Sequence, residues 1–173
     1  MRTIEKPRAG EFAPYAAMYI DLLPNDGRVL EHLRENFETT RNHVLSLPEA
    51  KLTYRYAAGK WSIKEILVHI VDDERIYAYR ALRFARGDRT ELPGFEQDGY
   101  TRHSRADERD LAGIFEEYEA VRRSTIALFD GLDDAALLRR GVADGTTMSV
   151  RAIAYHIAGH ELHHLKIMNE RYA

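Results

Sequence analysis

Two histidines, His160 and His164, stand four residues apart in the run AGHELHHLKIMNERY near the C-terminus. They fall in register with Val150, Ile153, Ile157 and Ile167, at alternating steps of three and four. That spacing places both imidazoles on the apolar face of one helix, a turn apart. Burying an imidazole without a partner is unfavourable. Two adjacent core histidines need a shared reason, and one divalent ion supplies it, since helix positions i and i+4 can each bring a nitrogen to about 2 Å from an ion. The bland alternative is a pair of core histidines satisfied by hydrogen bonds.

A third ligand is expected from a facing helix, because metal sites in bundles are built from side chains on neighbouring helices. His69 is the candidate, at the edge of the apolar stripe that follows Ser62. Three histidines would leave a coordination position open, as catalytic sites do. The chain has no cysteine, which excludes thiolate ligands, disulfides and a cysteine nucleophile. Asp73, four residues after His69, is expected to orient the His69 ring. Glu74 lies in the apolar stripe, where a carboxylate is unusual. It is either a general base beside the metal or the partner of an arginine across the bundle, and the ion pair is the expectation. His156 and His163 lie on the flank of the last seam and are expected to be exposed. His32, His43 and His103 show no partner pattern and read as surface or boundary residues.

His160-Glu161-Leu162-His163-His164 matches the H-E-x-x-H pattern of zinc proteases. Those enzymes need a further ligand well downstream, and Glu170 lies on the same continuous helix. Glu161 should point about 100° away from His160. The protease reading is therefore set aside.

Four long amphipathic segments must position these residues. The first runs from about Arg28 to Leu47, with Leu30, Leu33, Phe37 and Val44 on one face and Pro48 as its stop. The second opens with Ser62 and Glu65 as a capping box, has Trp61 and Ile66 spaced as a hydrophobic staple, and ends near Gly87. The third starts near Asp107 and ends at Gly131. A short helical turn from Asp133 to Arg140 and a Gly-rich stretch, GVADGTTM, precede the last helix, capped by Ser149. No segment of comparable quality alternates with period two, so no sheet is expected. The result is an all-α, up-and-down-type four-helix bundle with a short extra helix. Residues 87–105 form a long connection between the second and third helices, the length of a lid or binding loop. Residues 1–25 hold three of the five prolines and read as an irregular lead-in packed on the outside. Arg75, Arg80, Arg83 and Arg86 offer a positive rim for an acidic cofactor; the plainer reading, a solvated helix face, is preferred.

The chain has 173 residues, 45% hydrophobic and 31% charged, with a net charge of −3. These values suit one globular domain and do not suit a nucleic-acid binder. No stretch reaches the length of a membrane span. The first residues carry charges and prolines rather than a signal-type apolar run, so a cytoplasmic protein is expected.

The segments GKWSIKEILVHIVDDERIYAYRALRFARGD, LPGF and AGHELHHLKIMNERY together resemble the DinB superfamily, in its YfiT-like branch, over roughly residues 28–172. Carried over by position, the resemblance implies a metal on His69, His160 and His164. It implies zinc or nickel as the usual ion, with iron or manganese in some members, and a homodimer in many. The activities it implies are thiol-dependent, transferring bacillithiol or isomerising maleylpyruvate with mycothiol, or hydrolytic. Two function classes follow. One is a metal-dependent enzyme on small molecules, a thiol S-transferase with a low-molecular-weight thiol as cofactor or a hydrolase. The other is a non-catalytic metal-binding structural or stress-response protein.

Overall fold

A computed structural model describes residues 1–172. Its elements in chain order are α1 (Ala17–Ile20), α2 (Val29–Leu45), α3 (Ile63–Ala85), α4 (Gln97–His103), α5 (Leu111–Asp130), α6 (Asp134–Leu138), β1 (Arg140–Ala143), β2 (Thr146–Ser149) and α7 (Val150–Arg171). The four long helices, α2, α3, α5 and α7, form the expected four-helix bundle.

The start of α3 follows from its sequence. Ser62 accepts from the Glu65 amide while the Glu65 carboxylate accepts from the Ser62 amide at 2.7 Å. Gly87, at φ +75°, ends the helix in the left-handed region, and its amide donates to Phe84 O.

Side-chain contacts give the directions of the helices. Lys64 reaches Arg109 O and Glu74 meets Arg122, so α3 and α5 run parallel. Asn36 donates to Ala158 O and Thr40 to Glu161, so α2 and α7 also run parallel. Arg122 reaches back to Leu33 O, and Tyr77 stacks on His156, so α2/α5 and α3/α7 are antiparallel. The order is therefore up, down, down, up, with consecutive helices α2 and α3 not packed on each other. A plain up-and-down path would make neighbours of consecutive antiparallel helices. Parallel neighbours need a connection that returns along the whole helix. That need accounts for the length of the segment between α3 and α5, which contains α4 and is not a structureless loop.

Three further features depart from the sequence reading. The helix expected from Asp107 begins at Leu111, with Asp110 accepting from the Gly113 amide. Asp107 instead accepts from Ser62 Oγ and Arg55 Nη2, tying the start of α3 to the approach to α5. A two-stranded antiparallel hairpin is present, Arg140 opposite Ser149 through Ala143 opposite Thr146. Its turn, Asp144-Gly145, has positive φ at both residues, as a tight hairpin demands. Four-residue strands are too short for alternation to register. The lead-in does not lie on the outside. Ile4, Ala16, Ile20 and Leu23 are buried in the core, and Glu11 pairs with Arg151 at the start of α7.

The bundle interior also holds a charged triad. Arg122 donates to both carboxylate oxygens of Glu74 and lies 2.8 Å from Glu161 Oε2, all three side chains being at most 3% exposed. Thr40 Oγ1 donates to Glu161 at 2.9 Å. Removing the cation would leave two carboxylates facing each other out of water. The Arg122→Met variant is expected to lose about 3–5 kcal/mol of unfolding free energy, seen as a lower urea midpoint at unchanged slope. An unchanged midpoint would mean the triad contributes no net stability.

Candidate metal centre

The three sequence-selected histidines meet between α3 and α7. His69 sits seven residues into α3, and His160 and His164 sit a turn apart on α7. His160 Nε2 lies 3.1 Å from Nε2 of both His69 and His164. One ring nitrogen from each falls within 4.8 Å of the others, and all three residues are buried. The rings stand at 69° to 81° to one another, with centroids 4.6 to 5.0 Å apart.

This arrangement passes a simple fit test. Two nitrogens each about 2.0–2.1 Å from a tetrahedral ion stand about 3.3 Å apart, close to the 3.1 Å found. Burial lowers the pKa of His69 to about 4. Burial, then the charges of His69 and His163, lower that of His164 to about 3. His160 is held well below its ordinary value by the same causes. The imidazoles are therefore neutral near pH 7, the form that binds metal. The donor set, imidazole nitrogen without sulfur, suits a divalent first-row ion.

The surroundings divide into a protein side and a solvent side. On the protein side α1 crosses α7 at Gly159, where a Cβ would come within 2.1 Å of Tyr19 O. Glycine in mid-helix costs about 1 kcal/mol relative to alanine, and the close crossing is what it permits. The crossing lays the Tyr19 ring edge-on against His156, His160 and His163, at 5.1 to 5.4 Å. On the solvent side, His164 lines a cavity of about 300 Å³ together with Tyr56, Lys60, Trp61, Asp98 and Tyr172. Trp61 leans on His69 with ring centroids 4.6 Å apart.

Other expected roles are redistributed. Asp73 reaches across to α7 instead of holding His69. Its Oδ2 lies 3.3 Å from His160 Nδ1 and 3.8 Å from His156 Nε2. Burial pushes its carboxyl up to about 8. His156, expected to be exposed, is 2% exposed, stacked on Tyr77 at 3.9 Å, with neither ring nitrogen hydrogen-bonded. His163 is half-buried. Glu74 is the partner of Arg122, and its carboxylate is not part of the histidine cluster. Glu161 does turn away from the triad, but into the protein, where it meets Arg122 rather than solvent. A buried Glu161 held by Arg122 and Thr40 is not free to act as a zinc-protease base.

A bundle of this path with three converging imidazoles defines a class of helical proteins equipped for a divalent ion. The DinB superfamily model matches residues 32–168, and this chain belongs to that superfamily. Among solved structures, it is similar to YfiT from Bacillus subtilis, described as a probable metal-dependent hydrolase with an unusual four-helix bundle topology. The TM-score is 0.70 and the identity 16%, over 95% of this chain and 90% of that one. It is also similar to a DinB-like protein, YjoA, from Bacillus subtilis, with TM-score 0.58 and identity 16% over 83% and 87%. No curated protein matches it in sequence.

Three outcomes are expected. Untagged protein offered zinc or nickel should carry near-stoichiometric metal by plasma mass spectrometry, and a His160→Ala/His164→Ala double variant should carry almost none. Asp73→Asn should weaken metal affinity by about tenfold to a hundredfold; equal affinity would deny that Asp73 orients His160. Stability of the stripped protein should fall with pH. Between about pH 6.5 and 4 the unfolded chain binds protons on His69, His156, His160 and His164 that the folded chain does not, so acid favours unfolding. Asp72, Asp73 and Glu161, all raised by burial, act oppositely, while His43 and His163, both lowered by burial, add to the imidazole side, three carboxyls against six imidazoles. The melting temperature is expected to drop from about pH 7 to about pH 5, and a flat profile would contradict neutral buried imidazoles.

Proposed function

We propose that this protein is a divalent-metal enzyme acting on small molecules, with zinc or nickel on His69, His160 and His164. The observation that carries the reading is that His164 belongs both to the buried triad and to the wall of the 300 Å³ cavity. A structural site is closed by protein on every side, whereas a catalytic one keeps a side open to substrate. When bound, the ion would activate a nucleophile at low pKa: water in a hydrolase, a thiol in a transferase.

The chain's own groups supply the rest. Trp61, Tyr56 and Tyr172 give the cavity an apolar aromatic wall that can hold a substrate's carbon skeleton and exclude water. Lys60 and Asp98 put one charge of each sign on the same wall. Asp73 Oδ2 faces Nδ1 of His160 from behind at 3.3 Å, placed to orient that ring. Hydrolysis is the first reading, supported by the description of YfiT. Thiol transfer is the second, supported by a chain that has no cysteine, so that the sulfur must arrive with a cofactor.

The test is turnover by zinc- and nickel-loaded protein on two panels: small esters and amides, and low-molecular-weight thiols with an aryl halide acceptor. A rate above buffer that disappears in the His160→Ala/His164→Ala variant is expected on one panel. No rate on either, with a large fall in melting temperature on metal removal, would assign the ion a structural role instead.

A further inference from the structure

Of the three arginines of α3 and the fourth, Arg86, that caps its C-terminus, three are accounted for at the surface. Arg75 pairs with Glu117 and Asp72, Arg83 pairs with Asp88, and Arg86 is exposed. Arg80 is different. It is 6% exposed, yet among the described residues it forms no ion pair within 4 Å. Its guanidinium donates once, from Nη2 to Pro93 O at 3.2 Å, and lies 4.8 Å from the centre of the Tyr77 ring. A guanidinium has five N–H donors. One carbonyl and one ring face leave most of these donors without a protein partner. Asp73, seven residues back on α3, feels its charge but sits beyond ion-pair distance.

Arg80 lines a cavity of about 280 Å³ between α3 and the connection to α5, walled by Ile76, Tyr79, Leu92, Phe95 and Tyr100. The wall is built in place. Leu92 donates to Val142 O and accepts from the Asp144 amide, each at 3.0 Å. Gly94 lies against the Asp144 carboxylate, where any Cβ would come within 2.5 Å. The Phe95 and Tyr100 rings lie 5.3 Å apart, tilted by 58°. This cavity shares no lining residue with the one at His164. Arg80 is eleven residues from His69, about 16 Å along the helix.

We propose that this cavity is a second ligand site, for a small flat carboxylate such as an aromatic acid. The ring lies against Tyr79, Phe95 and Tyr100, and the carboxylate takes the unpaired donors of Arg80. Planar two-point pairing with a carboxylate is what a guanidinium does best, and a largely apolar wall that carries two cations, Arg80 and the Glu117-paired Arg75, suits a small anionic ligand. The site does not depend on the metal reading.

The experiment titrates benzoate, and benzamide as its neutral counterpart, into metal-loaded and metal-stripped protein, following ring resonances by NMR. Saturable shifts of the Phe95 and Tyr100 rings with benzoate are expected in both forms. Benzamide should bind at least about tenfold more weakly, as loss of a charge-assisted hydrogen bond implies. Arg80→Met should lose benzoate by a similar factor. Because that variant removes a buried group, Tyr100→Ala, at a half-exposed position, is the second probe. It should weaken benzoate binding at an unchanged melting temperature. Equal binding of benzamide, shifts confined to Trp61 that vanish with the metal, or no saturable shift would each overturn the proposal.

Discussion

The structure is governed by the burial of α7 around its whole circumference. From Val150 to Glu161 every residue is buried, on faces that point in all directions. A helix in that position cannot turn a polar side chain to water, so each one must find a partner inside. Arg151 meets Glu11 from the lead-in, and Ser149 donates to the same carboxylate. Glu161 meets Arg122 and Thr40. His160 faces Asp73. The N-terminal segment, the α5 cation and the α3 acid are each placed where a polar group of α7 requires them.

Those demands are met unequally, and the inequality separates scaffold from site. On the α2/α5 side, Arg122 receives two carboxylates, a backbone carbonyl and the Tyr118 hydroxyl. On the α3 side, both nitrogens of His156, Nδ1 of His164 and Oδ2 of Asp73 have no hydrogen-bond partner. Three imidazoles there meet nitrogen to nitrogen. A neutral imidazole offers one donor and one acceptor, so His160 Nε2 can serve only one of its two neighbours as a hydrogen bond. A cation with three acceptors around it resolves that conflict, while hydrogen bonding does not. The charged triad is satisfied by its own partners, and the histidine triad presents three nitrogen acceptors that could hold a metal ion.

What sequence reading could see follows from the same geometry. The pair His160/His164 was legible because two histidines replace isoleucines in a regular seam, and His69 because a sharp capping box sets the phase of α3. Periodicity detects contrast between a buried and an exposed face. His156 and Glu161 lie off the seam, and on a helix buried all round that no longer means exposed. Asp73 was correctly placed near the histidines but assigned to the wrong one, because i,i+4 spacing describes neighbours on α3 and is silent about the antiparallel helix beside it. The lead-in is hidden for a related reason: its partner, Arg151 for Glu11, is distant in sequence. The hairpin pairs locally, and its four-residue strands are too short for alternation to show. Arg80 carries no local signal at all, since the arginines at 75, 80, 83 and 86 look alike until two of them find acids and one is seen to face solvent.

The up, down, down, up path has a consequence for how the two cavities relate. Parallel α3 and α5 force the chain to travel back along the bundle, and that return segment passes over α3 rather than away from it. Its first half is fixed to the hairpin through Leu92 and to Arg80 through Pro93, so it is a wall and not a free lid. Its second half, α4, contributes Asp98 to the cavity at His164 and Tyr100 to the cavity at Arg80. These residues are two apart on one seven-residue helix. A ligand that displaced α4 from one cavity would therefore alter the wall of the other, and such coupling between the two cavities would be reciprocal by linkage.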